Sequence, residues 1–178
     1  FGNACAEWVV GAMVDLSRHI SEGVHAYRSG ARPPVRMGRE LRGAALGVIG
    51  YGVIGQRLCA VAQALGMRVL VADPHARVDD PAVTQLPPDE MLPLADYIVC
   101  LAPANPQTQN LMDARRFAAM RAGAFFVNAS RGELVDEAAL LQALEDGRLA
   151  GCALDVGRAP DQMPSPGLAG HPRGVAPP

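Results

Sequence analysis

Gly50, Gly52 and Gly55 stand in the spacing G-x-G-x-x-G, and Asp73 follows 18 residues after the third of them. Residues of these types at this spacing suit the binding of a dinucleotide. The first glycine permits a tight strand-to-helix turn, the second lets a pyrophosphate approach bare backbone, and the third lets the helix lie close on the strand. The N–H groups at the start of that helix, at Val53 and Ile54, have no partner within the helix and carry a partial positive charge, which suits phosphate. Asp73 is spaced to offer its carboxylate to the hydroxyls of a ribose. With no basic residue immediately after Asp73, and Arg77 four residues on, the pattern predicts NAD over NADP, because a carboxylate repels a 2′-phosphate. A glycine-rich turn beside a surface aspartate is the bland alternative, and it gains weight only if the flanking elements are missing.

Those elements are legible. Leu46 to Gly50 is a short apolar run rich in branched residues, as expected of a strand covered on both faces. Val53 to Leu65 carries apolar residues at helical spacing, and Gly66 is placed to end that helix. Met67 to Ala72 is a second apolar run that leads directly into Asp73. Strand, helix, strand and terminal acid are thus in register with the glycines.

The rest of the chain continues the alternation. Residues 4–29 read as one long amphipathic helix with Trp8, Val9, Ala12, Met13, Leu16 and Ile20 on one face. Pro87-Pro88-Asp89-Glu90 marks a helix start, and Tyr97 to Leu101 a buried strand. Asp113 is placed to cap a helix running to Arg121, Ala124 to Asn128 reads as a strand, and Asp136 caps a helix from Glu137 to Glu145. Leu149 to Val156 reads as the last strand by pattern, and the proline-rich stretch from Gly157 shows neither strand nor helix periodicity. Alternating strands and helices predict an α/β domain, a doubly wound parallel sheet with flanking helices and right-handed crossovers. The expected division is a bridging helix and linker at 1–37, a nucleotide domain at 38–156 and an irregular tail at 157–178.

Composition narrows the classes. The chain has 178 residues, 49% of them hydrophobic, with a net charge of −2, so it can bury a sizeable core and has no basic footprint for nucleic acid. The apolar stretch Ala4 to Leu16 is interrupted by Glu7 and Asp15, which predicts neither a membrane span nor a signal peptide. Cys5, Cys59, Cys100 and Cys152 are scattered and form no C-x-x-C pair, which predicts reduced, mostly buried thiols and a cytoplasmic protein; no metal-ligand spacing is evident.

On three motifs the chain resembles the D-isomer-specific 2-hydroxyacid dehydrogenases, specifically their NAD-binding domain, of Rossmann type. These are G-Y-G-V-I-G with Asp73, L-A-P-A-N-P-Q-T-Q-N-L-M over 101–112, and V-N-A-S-R-G-E-L-V-D-E-A-A-L over 127–140, followed by G-C-A-L-D-V over 151–156. The resemblance implies NAD as cofactor and a small 2-hydroxy or 2-keto acid as substrate, with glyoxylate, hydroxypyruvate, phosphoglycerate and lactate types all compatible. It implies a homodimer formed through this domain, and a second, substrate-binding domain of which almost nothing is present, so the chain, beginning at Phe1, reads as a fragment.

By the same resemblance Arg131 holds the substrate carboxylate, a task for which a planar guanidinium fork is suited. Asp155 lies near the nicotinamide carboxamide, and Pro103, Thr108, Ala129, Ser130 and Arg131 line the cofactor. Three of them have a plainer alternative: a loop-capping role for Thr108 and Arg131, a strand-end turn for Asp155. The family's catalytic acid maps best onto Asp161, in D-Q-M-P where the family often has E-P-L-P, if one extra residue is allowed; a solvated loop aspartate is the alternative. The family's base is a histidine in a T-P-H segment after the next strand, where this chain reads V-A-P-P. His171 precedes that strand, and His19, His25 and His75 read as solvated. The expectation is therefore cofactor binding with little or no turnover. Two other readings stand beside it, an NAD-sensing corepressor-like binding module of the same fold family and an inactive truncated gene product.

Overall fold

The structure, a computed structural model, describes residues 2–176. Seven strands form one sheet in the order β3-β2-β1-β4-β5-β6-β7, all parallel. They are β1 (Ala45–Ile49), β2 (Arg68–Ala72), β3 (Val83–Gln85), β4 (Tyr97–Cys100), β5 (Ala124–Asn128), β6 (Leu149–Leu154) and β7 (Gly174–Val175). Order reverses between β1 and β4, where the crevice beyond the strand ends forms the ligand site of open α/β sheets.

The central strands are apolar at every position because both faces are covered. β1, β4 and β5 are buried throughout. Their side chains alternate between two cores. Leu46, Val48, Val69, Val71, Val99 and Val127 face α1 (Gly2–Arg18) and α3 (Val53–Ala64), which supply Val9, Met13, Leu58 and Ala62. Ile49, Leu70, Ile98, Cys100 and Phe126 face the other side, covered by α4 (Pro88–Met91), α5 (Ala114–Ala119), α6 (Glu137–Glu145) and α7 (Pro166–Ala169) through Met91, Phe117, Leu140 and Leu168. Two helix starts are fixed as the sequence predicts. The Asp113 carboxylate accepts from the N–H of Arg116 at 2.9 Å, and that of Asp136 from Ala139 at 3.1 Å, each worth about 1 kcal/mol as a cap.

Three sequence expectations are corrected. The helix expected over 4–29 is two helices, α1 and α2 (Ile20–Arg28), broken at His19, whose φ of 57° is left-handed. The break has a local cause. Ser17 turns its hydroxyl back onto the Met13 carbonyl at 2.5 Å, competing with the helix ladder. Asp15 accepts the Ser21 N–H at 2.7 Å, capping a new helix start. Consequently no residue of α2 is buried, and Ile20, expected on the core face, is 50% exposed. The last patterned strand ends at Leu154 rather than Val156. Finally, the stretch from Gly157 is not wholly irregular: it contains α7 and the short β7, which pairs with β6 at Cys152 and Ala153. Among the described residues no helix is long and apolar enough to cross a membrane.

Candidate cofactor and carboxylate site

The three glycines do three different jobs. Gly50 has φ 104°, and a Cβ there would stand 2.7 Å from the Ala102 N–H nitrogen, so the β1 exit passes directly against the β4 exit. A Cβ on Gly55 would stand 2.3 Å from the Gly50 carbonyl oxygen, so α3 begins in backbone contact with the turn. A Cβ on Gly52 would meet nothing within 4 Å. That open position is the one through which a ligand can reach the backbone. Gly52 is also the N-cap of α3, offers no side-chain cap, and is followed by no acid in the first helical turn. The N–H groups at Val53, Ile54 and Gly55 therefore meet no competing carboxylate of their own helix, which suits an anion.

Asp73 directly follows β2 and is held by three backbone donors. Tyr51 N–H reaches its Oδ2 at 2.7 Å, while His75 and Ala76 N–H reach Oδ1 at 2.8 and 3.0 Å. Burial pushes this carboxyl up, but the three N–H donors and the nearby His75 outweigh it and leave it below the usual carboxylate range. Gln85, on β3, braces the same loop: it donates to the carbonyls of Asp73 at 3.1 Å and Ala76 at 2.7 Å and accepts from Val78 N–H. Arg77 points to Asp79, 3.0 Å away, in an exposed ion pair.

The β4, β5 and β6 exits complete the edge. Pro103 is exposed after β4, and the Thr108 hydroxyl donates to its carbonyl at 2.7 Å, so Thr108 ties its own loop. After β5, buried Asn128 organises the loop: its Nδ2 donates to the Arg131 carbonyl at 2.9 Å and its Oδ1 accepts Ser130 N–H at 3.2 Å. The Ser130 hydroxyl donates to Ala102 O at 2.5 Å, linking the β4 and β5 exits. Ala129 is buried, Arg131 is exposed at the start of a 3₁₀ turn (Gly132–Leu134), and its Nη1 donates to Ser130 O at 2.8 Å. Asp155 is exposed at the end of β6, with its N–H on Asn128 O at 3.0 Å.

Arg131 borders a small cleft of about 180 Å³ with Glu133, Gly157, Arg158, Ala159 and Gln162. Asp161 belongs to the same loop but does not line that cleft; its carboxylate accepts Met163 N–H at 3.1 Å. The larger cleft, of about 750 Å³, is elsewhere. It contains His19, His25 and His171 and borders Phe125 and Ala150 near the starts of β5 and β6, away from the strand exits. Its size carries no weight for the chemistry, because the glycine turn, Asp73 and Arg131 all lie beyond the opposite strand ends. Among the described residues no cluster of His, Cys, Asp or Glu is arranged to hold a metal ion.

Several participants escape sequence reasoning. Asn128 ends an otherwise apolar strand, and that polar residue at a strand exit is a usable signal. Cys5 reaches the site from α1: its thiol donates to Ala129 O at 3.6 Å, and burial together with the Asp155 charge pushes it up. Gln85 and Arg158 give no signal in the sequence, because their partners come from distant segments.

A switch-point crevice, a glycine turn opening at Gly52 and an acid at the neighbouring strand end define a dinucleotide-binding domain. The chain belongs to the D-isomer specific 2-hydroxyacid dehydrogenases, whose NAD binding domain it matches over residues 10–178. It is 39% identical over 157 residues to D-3-phosphoglycerate dehydrogenase of Rattus norvegicus, covering 86% of this chain and 30% of that protein. To D-3-phosphoglycerate dehydrogenase 2 of Saccharomyces cerevisiae it is 38% identical over 153 residues, covering 85% and 33%. The chain thus spans about a third of the length of these relatives. Among solved structures, D-lactate dehydrogenase with NAD+ from Lactobacillus jensenii superposes with a TM-score of 0.88 at 30% identity, covering 98% of this chain and 58% of that one. A glyoxylate reductase from Paecilomyes thermophila gives a TM-score of 0.90 at 29% identity, covering 98% and 54%. The chain is the NAD-binding domain of a dehydrogenase family, and its kinship with dehydrogenases and reductases favours that reading over a corepressor-like module.

Proposed function

We propose that this domain holds NAD for the oxidation of a D-2-hydroxy acid, or the reverse reduction of a 2-keto acid, and presents Arg131 to the substrate carboxylate. The observation that carries the reading is the uncapped start of α3 at Gly52, opening toward the same strand edge that bears Asp73 and Arg131. In this reading Gly50 and Gly55 shape the turn, while Gly52, Val53 and Ile54 take the pyrophosphate and Asp73 takes the adenosine ribose. Pro103, Ala129, Ser130 and Asp155 border the cofactor, and Thr108 supports Pro103. When bound, NAD supplies the hydride acceptor. Arg131 fixes the acid so that its C2–H faces the cofactor, as a bidentate guanidinium–carboxylate pair fixes both position and plane. The hydroxyl proton needs a base, and none of His19, His25, His75 and His171 stands in the Arg131 cleft. Residues 1–178 alone are therefore proposed to bind NAD with little or no turnover. Asp161, the best match to the family's acid, is proposed to act only with a histidine partner.

The same reading takes the apolar stripe of Ile20, Val24 and Tyr27, which are 50%, 43% and 68% exposed, as a contact with a second copy of the chain. Four free thiols suit a reducing, cytoplasmic setting. Titration of NAD and NADP by calorimetry tests the core of the proposal. Saturable NAD binding that Asp73→Ala weakens supports it, and equal or tighter NADP binding would overturn it.

A further inference from the structure

We infer that Arg158 is a positioning residue for Arg131: its guanidinium clasps the backbone of the turn that carries Arg131 and locks it to the loop that follows β6. The inference rests on the reading of Arg131 as the carboxylate-binding group.

Arg158 Nε donates to Val135 O at 2.8 Å and to Gly132 O at 3.3 Å. Its Nη2 donates to Glu133 O at 2.8 Å and also to Asn110 Oδ1. One planar group therefore engages two carbonyls of the short 3₁₀ turn that follows Arg131 and the carbonyl of Val135 just after it, plus a residue of the loop after β4. A cation at the carbonyl end of a helical turn is well placed electrostatically, and the fixed fork of a guanidinium serves several acceptors at once.

The clasp has a second strand. Glu137, at the start of α6, accepts Arg158 N–H at 2.9 Å through Oε1 and Ser165 N–H at 3.2 Å through Oε2. Both ends of the 158–165 loop, which contains Asp161, are thereby held to the helix that the Arg131 turn leads into. The two backbones also touch. A Cβ on Gly132 would stand 2.1 Å from Gly157 O, so nothing can slip between them. On its other side Arg131 is held by Asn128, through its carbonyl. Between Asn128 and Arg158 the Arg131 backbone has little freedom, which is the condition for holding a carboxylate in one orientation. Arg158 itself acts through this backbone, its Nε and Nη2 being engaged by the protein.

The test titrates oxamate, an unreactive 2-keto acid analogue, into residues 1–178 saturated with NADH, for the unsubstituted protein, R131A, R158A, R158K and the double variant R131A/R158A. R158A is expected to weaken oxamate by about tenfold while NADH affinity changes less than about twofold. R158K, which keeps charge and stem without the fork, should recover little of the loss. In the R131A background, R158A should cost nothing further, because both act through one group. Oxamate affinity unchanged in R158A, full rescue by R158K, additive losses, or a parallel loss of NADH binding would each overturn the inference. If R158A fails to fold, as judged by circular dichroism, R158K decides: weakened oxamate with unchanged NADH supports the inference, and unchanged oxamate overturns it. An unsubstituted protein that does not bind oxamate, or an R131A variant that binds it normally, overturns the reading of Arg131 and the inference with it. Loss in R131A with none in R158A overturns the inference alone.

Discussion

The backbone N–H of Tyr51 donates to Asp73 Oδ2 at 2.7 Å, so the middle of the glycine turn is fastened to the carboxylate at the end of the neighbouring strand. The turn proposed to take the pyrophosphate and the acid proposed to take the ribose are thus tied directly together. Tyr51 is the middle residue of G-Y-G, and it holds Asp73 through its backbone alone, which any residue type other than proline could do. With His75 and Ala76 N–H on the other oxygen, Asp73 is oriented before any ligand arrives.

Asp73→Ala should weaken NAD by about 10- to 100-fold, the scale of one or two charge-assisted hydrogen bonds, and narrow its advantage over NADP. Asp73→Asn should restore part of the NAD affinity. The pH dependence follows from the sign of the shift. A folded-state pKa held below the usual 3.8 gives stability that is fully present above about pH 4 and is lost as pH falls through the lower folded value. Acid unfolding of Asp73→Asn should lack this contribution, and urea titrations at pH 3 to 6 check it. A variant whose acid limb matches that of the unsubstituted protein would contradict the assignment.

The glycines separate folding from binding. Gly50→Ala and Gly55→Ala force a Cβ into backbone at 2.7 and 2.3 Å and should cost about 1–3 kcal/mol of stability or more. Gly52→Ala places its methyl in open space, so it should cost no more than about 1 kcal/mol, that of a poorer N-cap, while NAD affinity falls. Calorimetric melting beside NAD titration distinguishes the two classes. Normal NAD binding by Gly52→Ala would show that the pyrophosphate lies elsewhere.

How far the sequence carried these features depends on the reach of each interaction. The Asp113 and Asp136 caps and the apolar runs of β1, β4 and β5 are local, so their residues announce them. The break at His19 depends on Asp15 finding Ser21 across the bend, and helical periodicity continues straight through it. β3 and β7 are short edge strands of three and two residues, too brief to show a pattern. In the site, the glycine motif and Asp73 are contiguous and readable. Gln85 acts on a loop up to 12 residues away and Arg158 on segments 23 or more residues away, and only the fold brings them there. Thr108 shows a third case: its family position is readable, but its hydroxyl turns inward to Pro103.

The cysteines give an alkaline prediction. Burial pushes the thiols of Cys59, Cys100 and Cys152 up to about 12 from the usual 9.0. A neutral thiol favoured in the folded state stabilises fully below pH 9, and that stability is lost as pH rises toward 12, because the unfolded chain ionises first. Stability should therefore fall progressively above about pH 9, and less steeply in Cys100→Ser if the serine is tolerated. At neutral pH, Ellman's reagent should label Cys5 alone, and slowly; rapid labelling of all four in the folded protein would contradict the burial.

The α2 stripe predicts self-association. Val24→Glu puts a charge at the centre of Ile20, Val24 and Tyr27, and no residue of α2 contributes to the core. Circular dichroism and NAD affinity should be unchanged, while sedimentation should shift from dimer to monomer. A single monomeric species for the unsubstituted protein at micromolar concentrations would remove the basis for a homodimer through this face.

Arg131 should recognise a carboxylate even without turnover, because Asn128, Ser130 and the 3₁₀ turn that orient it are all within the chain. Catalysis requires more than that grip. Hydride leaves C2 only as the hydroxyl loses its proton, and a positioned base for that step is worth roughly 10²–10⁴-fold in rate. In residues 1–178 the three histidines His19, His25 and His171 share the distant cleft, and His75 lies in the loop after β2, its N–H on Asp73. Oxidation of glycerate, lactate, glycolate and 3-phosphoglycerate followed at 340 nm should thus stay at or near background, with NAD bound normally. A protein extended until it contains a histidine beside Arg131 should turn over, and Arg131→Ala in it should lower kcat/KM by about 10²-fold or more, as loss of an orienting ion pair requires. Saturable oxidation of any of these acids by residues 1–178 alone would show that a base is already in place among the residues considered solvated.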